Sequence, residues 1–199
     1  MKKTIIYLSL TFLLAGLYAF AQKSNNDEKY VLEHLSGTYA DAKPYNYGKA
    51  FGKRVFTFNK GKWSLIFTLS LDAEMKVPVF TFRTFGKYQL QEKSSTVADT
   101  YNAVFFEEKK FVTLKTSDEN LIKAFGFTSC GLTPNVEQDI SITGCSAWLP
   151  VKECPADYDL LSLDKDGKLY FGQRPADNNM CSQDKRPTQL TPPVIKIKK

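Results

Sequence analysis

From Trp63 to Leu71 the side chains alternate. Trp63, Leu65, Phe67, Leu69 and Leu71 are apolar, while Ser64, Thr68 and Ser70 stand between them. Successive side chains leave an extended backbone on opposite sides, so a period of two marks a strand with one buried face. A strand of that length needs an apolar layer along it and neighbours on both edges. The segments around it supply strand-like neighbours. Lys53 to Phe58 precedes it across the turn residues Asn59-Lys60-Gly61, which predicts a hairpin. Val77 to Thr84 follows, with Phe80 and Phe82 on one face and Arg83 on the other. Gly86 interrupts this run before Tyr88 and Leu90, as a bulge or a bend at a barrel corner would.

Further along, Tyr101 to Phe106 and Phe111 to Leu114 flank the charged run Glu107-Glu108-Lys109-Lys110, read as a turn. Ser117-Asp118 caps a short helix carrying Leu121, Ile122 and Phe125, stopped at Gly126. A second hairpin is predicted from Tyr158 to Phe171 about the turn Asp164-Lys165-Asp166-Gly167. Tyr30, Val31 and Leu35 place another short helix over Asp27 to Leu35. About eight strands in serial hairpin order, with two short helices, predict a mainly β chain: an antiparallel barrel or half-barrel, or a sandwich. Residues 172–193 read as a long ordered loop and 194–199 as a frayed basic tail.

The N-terminus sets the compartment. Lys2 and Lys3 precede an apolar stretch, and Ala19-Phe20-Ala21 carries small residues where a signal peptidase cuts, so 1–21 is read as an export signal. The apolar stretch is too short for a comfortable span and no later one is longer, which predicts a mature chain, 22–199, of one domain without a membrane anchor. The expected location is secreted or periplasmic. Four cysteines, Cys130, Cys145, Cys154 and Cys181, fit an exported chain with two disulfides, and their spacing allows three pairings and no C-x-x-C metal motif. The formal charge of +6 is too modest, and too evenly mixed with acids, to indicate nucleic acid.

Catalytic signatures are sparse. His34 is the only histidine, and it sits on the predicted N-terminal helix outside any motif. No G-x-S-x-G elbow, H-E-x-x-H or phosphate-binding glycine loop occurs, and Asp164-Lys165-Asp166-Gly167 starts like a calcium loop without its later ligands. The chain is read as a non-enzyme with neither cofactor nor metal. The aromatic share, 14%, instead suggests binding. Trp63, Phe67, Phe80, Phe82, Tyr88 and Phe105 are the candidates to line an apolar cavity in a small barrel, and the alternative is that they fill its core. Carbohydrate stacking on exposed rings is a third reading. Arg174 is a candidate contact for an acidic headgroup. Alternatively, Arg174 and Arg186 tie the long loop back to the barrel through carbonyls.

One further pattern spans roughly residues 35 to 195. Cys130-Gly131, Gln138-Asp139 and Gly144-Cys145 are followed by Tyr158, then Leu169-Tyr170-Phe171-Gly172-Gln173-Arg174-Pro175-Ala176-Asp177 and Lys185-Arg186-Pro187-Thr188, closing at Pro193-Val194. Gly37, Arg54, Phe58, Trp63, Pro78, Phe80, Gly86 and Tyr88 precede them in order. In these residues the chain resembles the adenomatosis polyposis coli down-regulated family, membrane-anchored antagonists of Wnt signalling. The resemblance implies a lipocalin-like, partly open barrel whose cavity takes a lipid acyl chain. It also implies pairing of Cys130 with Cys145, leaving Cys154 for Cys181. Those proteins carry two such domains and an anchor, whereas one domain and no anchor are read here. The expected partners are an apolar small molecule or lipid, or a lipidated or cell-surface protein.

Overall fold

A computed structural model describes residues 28–197, and the expected export segment 1–21 lies outside them. Eleven strands form one antiparallel sheet. They are β1 (Gly37–Asp41), β2 (Tyr45–Tyr47), β3 (Ala50–Asn59), β4 (Lys62–Ser70), β5 (Pro78–Lys93), β6 (Tyr101–Phe106), β7 (Lys109–Leu114), β8 (Glu137–Asp139), β9 (Ala156–Leu163), β10 (Leu169–Phe171) and β11 (Val194–Lys196). Two short helices accompany them, α1 over 28–33 and α2 (Glu119–Ala124). Asp118 caps α2 as expected, its carboxylate accepting from the Asn120 and Leu121 N–H groups. No helix among the described residues is long and apolar enough to cross a membrane.

Eight of the strands close a ring, β1-β3-β4-β5-β6-β9-β10-β11 and back to β1, so the barrel is closed rather than partly open. Closure depends on the segment read as a frayed tail. Val194 pairs with Asp41 and Leu169, and Ile195 and Lys196 pair with Ala40 and Tyr39. Backbone groups on both barrel edges gain partners there, which outweighs the solubility of the lysines.

The predicted β3–β4 hairpin forms about Lys60-Gly61, from Asn59↔Lys62 back to Phe51↔Ser70. The register shifts between Leu69 and Ser70, which buries Ser70 and leaves Leu71 outside the strand and exposed, contrary to the alternation. β5 runs unbroken through Gly86, where it changes partner: Phe80–Phe85 pair with β7 and Tyr88–Leu90 with β6. A Cβ on Gly86 would lie 2.0 Å from the Phe106 carbonyl oxygen, to which the Trp63 indole also donates at 3.0 Å. The glycine therefore permits the crossing.

The expected serial hairpins fail between β6 and β7. Both run antiparallel to β5 in the same direction, end to end, with residues 106–108 opposing only 86 and 87. The extra residue is a bulge, which shifts the inward face so that Glu107 and Lys110 both point inside. The charged run is thus half buried, not a solvated turn.

Two cores result. The barrel interior packs Leu32 of α1 and Leu35 just after it with Tyr39, Phe56, Phe58, Trp63, Tyr88, Leu90, Tyr101, Phe105, Leu161, Leu169, Phe171 and Val194. Beyond the ring, β3, β4 and β5 continue as a sheet flanked by β2, β7 and β8. There Leu69, Val79, Phe80, Phe82, Val112 and Leu114 pack under α2 and the 127–148 segment. Each fully buried large apolar side chain contributes about 1.5–3 kcal/mol of transfer free energy.

Candidate functional site

The seven residues expected to line one cavity are divided among three places. Trp63, Tyr88 and Phe105 share the barrel core, while Phe67, Phe80 and Phe82 belong to the second core. They do share strand faces. β4 and β5 run out of the ring, however, so one face of each strand serves both cores. Inside the barrel the rings touch one another. Phe56 stacks on Phe171 at 4.0 Å, Phe105 reaches Phe171 at 5.8 Å and Trp63 at 4.9 Å, and Tyr88 meets Phe58 at 5.3 Å. Tyr88 Oη donates to Leu32 O and accepts from Leu35 N, locking the C-terminal end of α1 over the rings. Trp148 stacks on Phe82 at 4.6 Å in the second core, and Trp63 is buried in the first.

Between the two cores the inward positions turn polar. β3 presents Arg54 between Gly52 and Phe56, while β5 and β7 bring Thr84 opposite Lys110. Arg54 grips Asp41 with two nitrogens, at 3.1 and 2.6 Å, and donates to Thr191 Oγ1 and Pro192 O. It therefore ties the end of the 172–193 loop to β1 and β3. Arg186 does the same further along, donating to the carbonyls of Ala103 and Asp159 and to Gln91 Oε1. This is the structural role anticipated for it.

Arg174 sits elsewhere, in a recess of about 220 Å³ at the second-core end of the barrel. The β6–β7 bulge supplies Glu107 and Lys110, and the start of β9 supplies Asp157. The 146–149 segment and the 174–181 part of the long loop form the walls. Two disulfides brace these walls: Cys130–Cys145 holds the 146–149 segment and Cys154–Cys181 joins the long loop to the approach to β9. Lys110 Nζ meets Glu107 Oε2 at 2.7 Å and donates to Leu149 O and Cys154 O. Arg174 donates to Asp157 Oδ2 and Asn178 Oδ1, each at 2.6 Å.

These charges are unusually enclosed. Glu107, Lys110 and Asp157 are 5%, 2% and 5% exposed. Burial, with the Asp157 charge beside it, pushes the Glu107 carboxyl up to about 7 against the pull of Lys110. Burial likewise lifts Asp159, next along the inward face of β9, to about 7, although the Leu160 and Gly172 N–H groups favour its charged form. Glu107, Cys154 and Asp157 converge within 4.8 Å, but Cys154 is bonded to Cys181 and offers no thiolate. Of this site the sequence points to Arg174 as a contact residue and to Cys154 and Cys181 as disulfide cysteines. The bulge that turns Glu107 and Lys110 inward leaves no trace in a charged run that also suits a solvated turn.

Fold and site together define a closed antiparallel β-barrel with a braced polar recess beside it. Neither protein-family models nor curated proteins match the sequence.

Proposed function

We propose that the chain is an exported, non-enzymatic binding protein that acts as an extracellular interaction module, with a barrel interior that is core rather than cavity. The observation that carries this reading is the run of mutual ring contacts from Phe56 through Phe171 and Phe105 to Trp63. A ligand inside the ring would have to separate them, and loss of those contacts is costly in a close-packed interior. The disulfides suit an oxidising compartment and hold loops, the usual place for recognition surfaces, in fixed positions. The competing proposal, carried by the resemblance to the adenomatosis polyposis coli down-regulated family, is a carrier of an acyl chain or other apolar ligand.

Native mass spectrometry of the protein from its own host, with organic extraction, separates the two. A discrete adduct of lipid mass, released on denaturation, would overturn the filled-barrel reading. An apoprotein that ignores fatty acids and fluorescent lipid probes supports it. Trp63→Ala gives a second measure. In a filled core it costs about 3–5 kcal/mol in urea unfolding, whereas a cavity wall would lose much less.

A further inference from the structure

Two carboxylates in the recess each have an oxygen to which no side chain or backbone group among the described residues donates. Glu107 engages Lys110 through Oε2 and Asp157 engages Arg174 through Oδ2, while Oε1 of the one and Oδ1 of the other have no protein donor among those residues. Both residues are 5% exposed. Among the described residues no fully enclosed side-chain polar atom lacks a partner, so these two oxygens must open onto the recess they line. The carboxylates approach within 4.8 Å of each other, and the bulge at Glu107 is what aims them together.

The surrounding cations do not complete the site. Lys110 already spends its three donors on Glu107 and on two carbonyls. Once Glu107 is ionised, above about pH 7, three carboxylates, Glu107, Asp157 and Asp177, line the recess against two cations, Lys110 and Arg174, which leaves one negative charge over. A compact donor carrying a single positive charge matches both the two open oxygens and this charge. A divalent metal fits less well, because the third converging ligand is held in a disulfide and two cations already flank the carboxylates.

We infer that the recess binds a primary ammonium group, seated between Glu107 and Asp157, with the rest of the ligand leaving past Asp177 and Asn178. An ammonium offers three rotatable N–H donors on a narrow stem, and about 220 Å³ takes that head and a short alkyl chain. The inference rests on the reading of the chain as a binding protein. The ammonium can come from a lysine side chain of a protein partner or from a free small amine.

Protonation of Glu107 should compete with the ligand. The groups facing Glu107 are Lys110 on β7, Asp157 on β9 and Arg174 on the long loop; Asp159 on β9 acts in turn on Arg174. The test is calorimetric titration of the intact, disulfide-bonded protein with n-butylamine, Nα-acetyl-lysine amide, 1-butanol and calcium chloride, at pH 8 and pH 6. Both amines should bind at least tenfold more tightly than butanol, and about tenfold more tightly at pH 8 than at pH 6 for a one-proton linkage. Asp177→Asn, an exposed change that keeps the acceptor for the Asn179 N–H, should weaken amine binding several-fold without unfolding the chain.

A lysine-containing peptide that binds more than tenfold tighter than the capped amide identifies a protein partner as the source. Equal binding identifies a free amine, and either result supports the site. Amines that bind no better than butanol, or calcium binding in their place, would overturn it. These titrations are independent of the lipid extraction, so a lipid adduct would sink the filled-barrel reading while leaving the ammonium result to stand or fall alone.

Discussion

Arg54 occupies an inward position of β3, between Gly52 and Phe56, where the strand pattern calls for an apolar side chain. It is tolerated because Asp41, Thr191 and Pro192 take up its donors. Arg54→Met should therefore cost about 3–5 kcal/mol, by leaving Asp41 charged and unpaired, and Arg54→Met with Asp41→Leu should recover most of that in urea unfolding. Asp159 makes a pH prediction. Its carboxyl holds a proton more tightly in the folded chain, at about 7, than at its ordinary 3.8. Stability from this residue is therefore full below about pH 4 and is lost as pH rises to about 7, with a slope of at most about 1.4 kcal/mol per pH unit. Glu107 adds a loss of the same sign. Asp159→Asn keeps an oxygen for the Leu160 and Gly172 N–H groups, so it should flatten part of this slope and raise the urea midpoint at pH 8. At this scale the sequence was least legible. Burial of Arg54, Glu107 and Lys110 depends on partners far along the chain, and periodicity reports only local faces.

Elements were more legible wherever the turn chemistry was local. The β3–β4 and β9–β10 hairpins could be anticipated because Lys60-Gly61 and 164–167 carry their own instructions. Lys60 and Gly61 both adopt positive φ, 49° and 75°, and the Asp164 carboxylate accepts from the Asp166 and Lys168 N–H groups. Lysine is a poor choice at positive φ, so Lys60→Asn should stabilise the hairpin by about 0.5–1 kcal/mol, read from the shift in urea midpoint. The β6–β7 junction was misread for the converse reason. Glu107-Glu108-Lys109-Lys110 has the polarity of a turn, yet both flanking strands find the long β5 and continue along it with one extra residue. The same long strands explain the divided aromatic set. Alternation correctly marked their buried face, but it carries no information on where a strand leaves the ring.

For the whole molecule, the barrel class followed from the succession of short strands, whereas its closure did not. Val194 to Lys196 pair too few residues to announce a strand, and the lysines around them suggest solvent. A chain ending at Pro193 should lose amide-exchange protection in β1 and β10 while the second core, whose strands pair without β11, keeps it. Equal protection in both would show that the ring does not need its last strand. The closing pair also has a consequence in time. β1 and β11 are about 150 residues apart, so a chain made from its N-terminus cannot shut the ring until β11 has emerged. Until then two unpaired edges face outward, and the half-made barrel remains a curved open sheet. The barrel becomes a rigid body only when β11 pairs on both of its edges.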